Sequence, residues 1–263
     1  MLQALLTCYV LLIAPQPHEA RVGGTTWYHS TNLLKNPSAS TSGLSPWSQT
    51  GTWSVATGPV SIGSLTMNSP DGTPWFLNAS SASANSTCGT CGAGVNVSLS
   101  QIVDLSPYAN TLHCCSTGIT YGGDAFGEGR HSGSGTPGYY HAQASYQASY
   151  TVQFYDANGN LLVSDTSGYV FSGPNFGCIL PTVVRQTPGY RRTVSGIPEA
   201  ARSVRFTASF ENKLSVCYNN ATSAGFRNGF DNLYLDFGYL GPPTAAFKAG
   251  PLPQHPIPLK PKS

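Results

Sequence analysis

The most constraining stretch of this chain is residues 141–155, where polar and apolar side chains alternate without a break. Ala142, Ala144, Tyr146, Ala148, Tyr150, Val152 and Phe154 fall on one side, and His141, Gln143, Ser145, Gln147, Ser149, Thr151 and Gln153 on the other. Successive side chains of a strand point to opposite faces, so a period of two predicts a long β-strand with one face in a core and one in water. Asn158-Gly159 follows, residues that tolerate positive φ, and Leu161-Leu162-Val163 resumes the apolar pattern, which predicts a hairpin. Further strands are predicted at 52–55, 75–77, 95–103, 191–195, 203–209 and 231–237, and no stretch carries a helical period. Many strands parted by Gly, Pro and Asn turns specify an all-β protein, a sandwich or a barrel.

Three segments flank or interrupt that pattern. Residues 1–20 hold an apolar run from Leu2 to Ala14, too short for the roughly 20 residues of a membrane span, and end in a small residue, Ala20. This reads as a signal peptide, which makes the mature chain secreted, extracellular and without membrane insertion. Residues 239–263 are rich in proline and poor in apolar anchors, and read as a polyproline-type tail. Residues 121–138 hold seven glycines together with Asp124, Phe126, Glu128, Arg130 and His131, and read as a long mobile loop of the kind that carries binding on a rigid scaffold.

Cysteine usage points to the same compartment. Without Cys8, which falls in the signal segment, six remain: Cys88, Cys91, Cys114, Cys115, Cys178 and Cys217. An even number suits disulfides in an oxidising compartment. The pairing expected is Cys178 with Cys217, and the Cys88/Cys91 pair joined crosswise to Cys114/Cys115. The rival is a four-thiolate zinc site from Cys88, Cys91, Cys114 and Cys115, for which vicinal Cys114-Cys115 is an awkward knuckle; no metal is expected. Four sequons, at Asn78, Asn85, Asn96 and Asn220, mark candidate N-glycosylation sites. Charged residues make up 9% of the chain, against about 25% in ordinary domains. With no basic run, nucleic acid and anionic membranes are excluded as partners.

Four segments recur in a telling order: Asn32-Leu-Leu-Lys-Asn-Pro37 leading to Gly43-Leu-Ser-Pro-Trp47, Ser100-Gln-Ile-Val-Asp-Leu105, Tyr150 through Leu162, and Ile197-Pro-Glu-Ala-Ala-Arg-Ser-Val-Arg-Phe206. Together they resemble the F-box-associated (FBA) domain, over residues 30–238. The ending Phe230-Asp-Asn-Leu-Tyr-Leu235 resembles secreted carbohydrate-binding modules of the same build. The resemblance implies a jelly-roll (galactose-binding-like) β-sandwich that recognises glycans or glycoproteins. No F-box lies in the residues ahead of it, so a ubiquitin-ligase adaptor role is not expected. The aromatic-aromatic-Lys trio of the sugar-binding adaptors has only Phe226-Arg227 as an approximation. Ser38, Ala39 and Ser40 stand where calcium-bearing relatives place an acidic residue, so neither calcium nor any other cofactor is expected.

Sugar recognition pairs aromatic faces with polar groups that meet hydroxyls, in a mostly apolar depression. The loop residues that fit are Tyr121, Phe126, Arg130, Tyr139, Tyr140, Phe226, Arg227 and Asp231; Trp47, Trp53 and Trp75 read as core, and Trp27 as a residue ahead of the sandwich. An enzyme is not expected: glycosidases need two carboxylates at a set separation, and Asp104 and Asp156 sit at strand ends where turn roles suffice. The sequence therefore predicts a secreted lectin-like module. Two alternatives remain: a structural or protein-interaction module of the matrix or cell surface, and an intracellular FBA-like glycoprotein-recognition protein.

Overall fold

A computed structural model of the protein describes residues 27–40, 43–62, 65–67, 74–83, 95–132, 142–172, 182–216 and 223–240. The strands are β1 (Trp27–His29), β2 (Ser48–Thr50), β3 (Trp53–Ala56), β4 (Val60–Ile62), β5 (Leu65–Met67), β6 (Trp75–Ser83), β7 (Val95–Asp104), β8 (Ser116–Ser132), β9 (Ala142–Tyr155), β10 (Leu161–Ser172), β11 (Thr182–Ser195), β12 (Ser203–Val216) and β13 (Ser223–Leu240). Among the described residues they form a six-stranded sheet in the order β11-β8-β13-β6-β3 with β1 on β13, a five-stranded sheet in the order β10-β9-β12-β7-β2, and a small β4–β5 hairpin. Neighbouring strands are antiparallel, as in β12 against β9, β13 against β8 and β11 against β8. The chain folds as an all-β sandwich of the jelly-roll kind.

The alternation of 141–155 sets the core. Ala148, Tyr150, Val152 and Phe154 of β9 are buried, and Gln147, Ser149, Thr151 and Gln153 are half-buried on the opposite face. Register puts Ala208, Phe206 and Val204 of β12 opposite Tyr150, Val152 and Phe154. Aromatic packing joins the sheets: Trp47 meets Phe76 and Phe206 edge-on at 5.6 and 6.2 Å, and Phe230 lies 4.6 Å from Phe210 and 5.8 Å from Trp53. Rings at such separations add about 0.5–1.5 kcal/mol per pair beyond area burial. Trp75, one residue from Phe76, points to the other face of β6 and packs with Phe126 at 4.6 Å over Ala56. The three tryptophans assigned to the core are there.

The hairpin after β9 is closed by Asp156, whose carboxylate accepts the amides of Asn158 and Asn160 at 2.8 Å each, with Gly159 at φ 81°. Asp104 accepts the Ser106 amide at 2.8 Å. Both carboxylates have the turn roles predicted for them.

Four expectations are corrected. Residues 121–132 are not a loop but part of β8, paired with β11 on one side and β13 on the other; 133–138 lie outside the described residues. Their glycines serve close backbone approach: a Cβ on Gly122 would stand 2.0 Å from the Tyr190 carbonyl oxygen. A short helical stretch, a 3-10 turn at Ser106–Tyr108 running into α1 (Ala109–Cys114), occurs where no helix was predicted. Cys114 and Cys115 are bonded to each other, not crosswise to Cys88 and Cys91; Cys88, Cys91, Cys178 and Cys217 lie outside the described residues. Tyr239 and Leu240, placed in the tail, belong to β13 and pair with β1, which also brings Trp27 into the sheet. Residues 1–20 and 241–263 lie outside the described residues.

Candidate functional site

The opening and closing motifs grip each other. Asn32 Oδ1 accepts the amides of Leu34 and Leu235 at 3.1 Å each, and its Nδ2 donates to the Leu233 carbonyl at 2.7 Å. The Leu233 amide donates to the Pro37 carbonyl at 3.0 Å, and the Ser38 hydroxyl donates to Asn232 Oδ1 at 2.9 Å. Asn232, at φ 46°, donates through Nδ2 to Asp124 at 2.9 Å, whose other oxygen accepts the Gly189 amide. A cavity of about 300 Å³ opens here between Ser38, Asp124, Arg191 and Tyr234. Among the side chains that line it, Ser38, Asn232 and Asp124 bond in a chain, and Arg191, which donates to the Tyr190 carbonyl at 2.8 Å, lies over the Tyr234 ring at 4.7 Å. The opening residues 32–38 and the closing residues 232–235 thus form a polar clasp.

The predicted ligand residues do not all gather: the register sets Arg130 beside Phe226 and Arg227 at one end of the β8–β13 pair, while Tyr121 and Asp231 stand elsewhere along it. Tyr121 and Asp231 are fully buried, and are interior residues rather than ligand contacts. The Tyr121 hydroxyl donates to Asp165 at 2.6 Å; burial first, then the Asp165 carboxylate, push it above the ordinary phenol range. Asp231 accepts the Asn232 amide at 2.8 Å. Phe126 packs under Trp75. Arg130, near the far end of β8, is opposite Gly225 in register, about 30 Å along the strand from Tyr121 at ~3.3 Å per residue. Arg227 is half-buried on β13 opposite Glu128, and Phe226 precedes it opposite Gly129. Tyr139 and Tyr140 lie outside the described residues. Among the sequons, Asn78 is fully buried with its Nδ2 donating to the Thr52 carbonyl at 2.6 Å, which rules out a glycan on that atom in the folded protein. Asn96 is exposed on β7, and Asn85 and Asn220 lie outside the described residues.

A different surface has the form of a ligand site. The outer face of the five-stranded sheet carries a row of hydroxyls across all five strands, in register: Thr50, Ser98, Ser209, Ser149 and Tyr169. The next row is Ser48, Ser100, Thr207, Thr151 and Thr166. Thr50 and Ser98, Ser149 and Ser209, and Thr151 and Thr166 bond in pairs at 2.9, 2.9 and 2.7 Å. Over this floor of short side chains stands Tyr169, 56% exposed, its hydroxyl donating to Glu211 at 2.7 Å. Tyr169, Glu211, Asn96 and the first hydroxyl row bound a depression of about 410 Å³, within the range of small-ligand sites.

Tyr169 is aimed by a bulge. Thr166 pairs with Thr151 and Tyr169 with Ser149, so three steps on β10 match two on β9. The extra residue lies beside Gly168, which has φ 68°, and Ser167 accepts the Tyr150 amide at 2.9 Å. A bulge re-aims the side chain after it; here it turns an aromatic outward where a regular ladder would place Gly168. Chemically, the depression offers hydroxyls that both donate and accept, one carboxylate, and an aromatic face.

No family model matches the chain, and no curated protein matches it. Among solved structures, the enzymatically active domain of tailspike protein 4 of bacteriophage CBA120 is 14% identical with a TM-score of 0.34, over 80% of this chain and 21% of that one. TmCBM61, solved in complex with β-1,4-galactotriose, is 16% identical with a TM-score of 0.33, over 78% of this chain and 98% of that one. The CBM22-1 xylan-binding domain of Paenibacillus barcinonensis Xyn10C is 12% identical with a TM-score of 0.28, over 85% of this chain and 99% of that one. This chain thus spans about a fifth of the tailspike chain and nearly the whole of the two modules. At these TM-scores none of the three bears on the ligand, and the sandwich rests on the strand pairing itself.

Proposed function

We propose that this protein is a secreted, non-catalytic carbohydrate-binding module of the galactose-binding-like, FBA-related type, and that it takes a neutral oligosaccharide on the outer face of its five-stranded sheet. The carrying observation is the hydroxyl row that ends in Tyr169 and Glu211 above a 410 Å³ depression. Sugars present hydroxyls around their rim and C–H groups on their faces. Serine and threonine floors match the first, the Tyr169 ring the second, and Glu211 accepts from hydroxyls with the added strength of a charged acceptor. The apolar run from Leu2 and the sequons support secretion.

A glycan array tests the reading, with Tyr169→Ala beside the native protein. An aromatic anchor contributes about 2 kcal/mol or more when truncated, so binding should fall ~30-fold or more, with the unfolding midpoint unmoved because Tyr169 is exposed. Retention of full binding by Tyr169→Ala moves the site elsewhere. A silent array from folded protein favours the protein-interaction module, for which Leu161, Leu162 and Val163 supply a surface: they are 53%, 37% and 40% exposed at the start of the edge strand β10.

A further inference from the structure

Asn96 holds two positions at once. It opens the sequon Asn96-Val97-Ser98, and its exposed side chain borders the depression under Tyr169. In register it stands directly opposite Glu211, the residue that accepts the Tyr169 hydroxyl. Residues opposite each other in an antiparallel pair have Cβ atoms about 5 Å apart. A glycan on Asn96 Nδ2 therefore starts at the border of the depression, within reach of Glu211. Ser98, which the sequon requires, is itself a floor residue of the hydroxyl row.

Resting on the sheet-face reading above, we propose that Asn96 is N-glycosylated and that its own glycan fills the depression, so the protein exists as a closed glycoform and an open one. A sugar tethered through one side chain competes as an intramolecular ligand, at an effective concentration of about millimolar or more. At equal intrinsic affinity it weakens apparent binding by a factor of 1 plus the effective concentration over Kd, about tenfold for a site whose Kd is about 0.1 mM. Glycan occupancy at one asparagine thus sets the fraction of molecules able to bind. Asn78 cannot play this part, because its amide is buried and bonded to Thr52.

The test uses the full chain from a glycosylating secretory host and from a host that adds no N-glycans. Both preparations are passed over immobilised cellulose, xylan, galactan and mannan, and the peptide carrying Asn96 is analysed by mass spectrometry in the flow-through and retained fractions. The expected result is retention of the glycan-free protein, and at least a tenfold depletion of Asn96-modified molecules from the retained fraction of the glycosylated protein. Equal occupancy in both fractions overturns the inference and leaves carbohydrate binding standing, as does an Asn96 found unmodified throughout. If the folded glycan-free protein is retained on none of the four, and the glycan array is silent too, the sheet-face reading fails and the inference falls with it.

Discussion

Asp165 ties the two sheets together at their open edge, and its removal has a cost that can be apportioned. It belongs to β10 of the five-stranded sheet, while its partners belong to β8 and β11 of the other. Its Oδ2 accepts the Tyr121 hydroxyl at 2.6 Å and Arg192 Nε at 2.7 Å, and its Oδ1 accepts Arg192 Nη2 at 2.8 Å. Arg192 lies at the surface, where solvent screens the pair and its share is small. Tyr121 is fully buried, so Asp165→Ala strands a hydroxyl inside the protein, at about 1–3 kcal/mol. In a Tyr121→Phe background that hydroxyl is gone, and the same substitution should cost only the small surface share. Urea unfolding of the four proteins gives the coupling, expected near 1–2 kcal/mol, with m unchanged if two-state unfolding holds. Equal cost of Asp165→Ala in both backgrounds would refute the reasoning. The pH dependence has a definite sign. The Arg192 hydrogen bond holds the Asp165 carboxyl below the usual range against the opposing effect of burial, with Tyr121 adding to the depression. A depressed carboxylate stabilises the fold above its unfolded pKa of about 3.9 and loses that contribution as pH falls through the lower folded value. The stability gap between native protein and Asp165→Ala should therefore be constant at neutral pH and close below about pH 4.

Three other substitutions probe the clasp, the core and the site. Asn32→Ala removes the acceptor of two amides and the donor to Leu233, and should cost about 2 kcal/mol, a fall of roughly 5 °C in Tm for a domain of this size. Asn32→Asp, which keeps the acceptor, should recover part of it, and equal melting of the two variants would mean that the two amides are not held by this side chain. Gly229→Ala would set a Cβ 2.1 Å from Phe126 Cε2 and 2.6 Å from Trp75 Cζ3; overpacking of this kind costs about 1–3 kcal/mol, and Phe126→Leu should partly rescue it in thermal unfolding. Gly168→Ala forces alanine into φ 68° at about 1 kcal/mol, and because it disturbs the bulge that aims Tyr169 it should weaken glycan retention on a column more than a Gly159→Ala control, which sits in the hairpin turn at φ 81°.

What could be read from the chain followed from how regular each strand is. β9 was legible because both its faces are populated as the alternation requires, and β7 and β12, in register with it, begin within a residue of their predicted positions. β8 was not, because its glycines resemble a loop in composition while serving a backbone approach that only the assembled sheet explains. Tyr169 escaped for a sharper reason. Register shifts between Leu161 and Val163 and again between Thr166 and Tyr169 interrupt the alternation along β10, so the strand does not read as one continuous period. The hydroxyl row was visible strand by strand, as Ser98 and Ser100, Thr207 and Ser209, Ser149 and Thr151, each pair consistent with an ordinary wet face. Only the pairing of β7, β12 and β9 turns three unremarkable pairs into one continuous floor. The motifs that stood out pulled the other way. Residues 32–37 and 230–235 stand out in the sequence as motifs of the resemblance, with Asp231 a candidate ligand contact, yet their polar groups are spent within the fold, as Asn32 on Leu235 and Ser38 on Asn232. In a sandwich that carries a polar clasp, a distinctive polar motif marks where the chain is fastened. The serine and threonine hydroxyls of the sheet face bond one another in pairs, and because each hydroxyl has one donor and two acceptor sites every pair keeps capacity for a ligand.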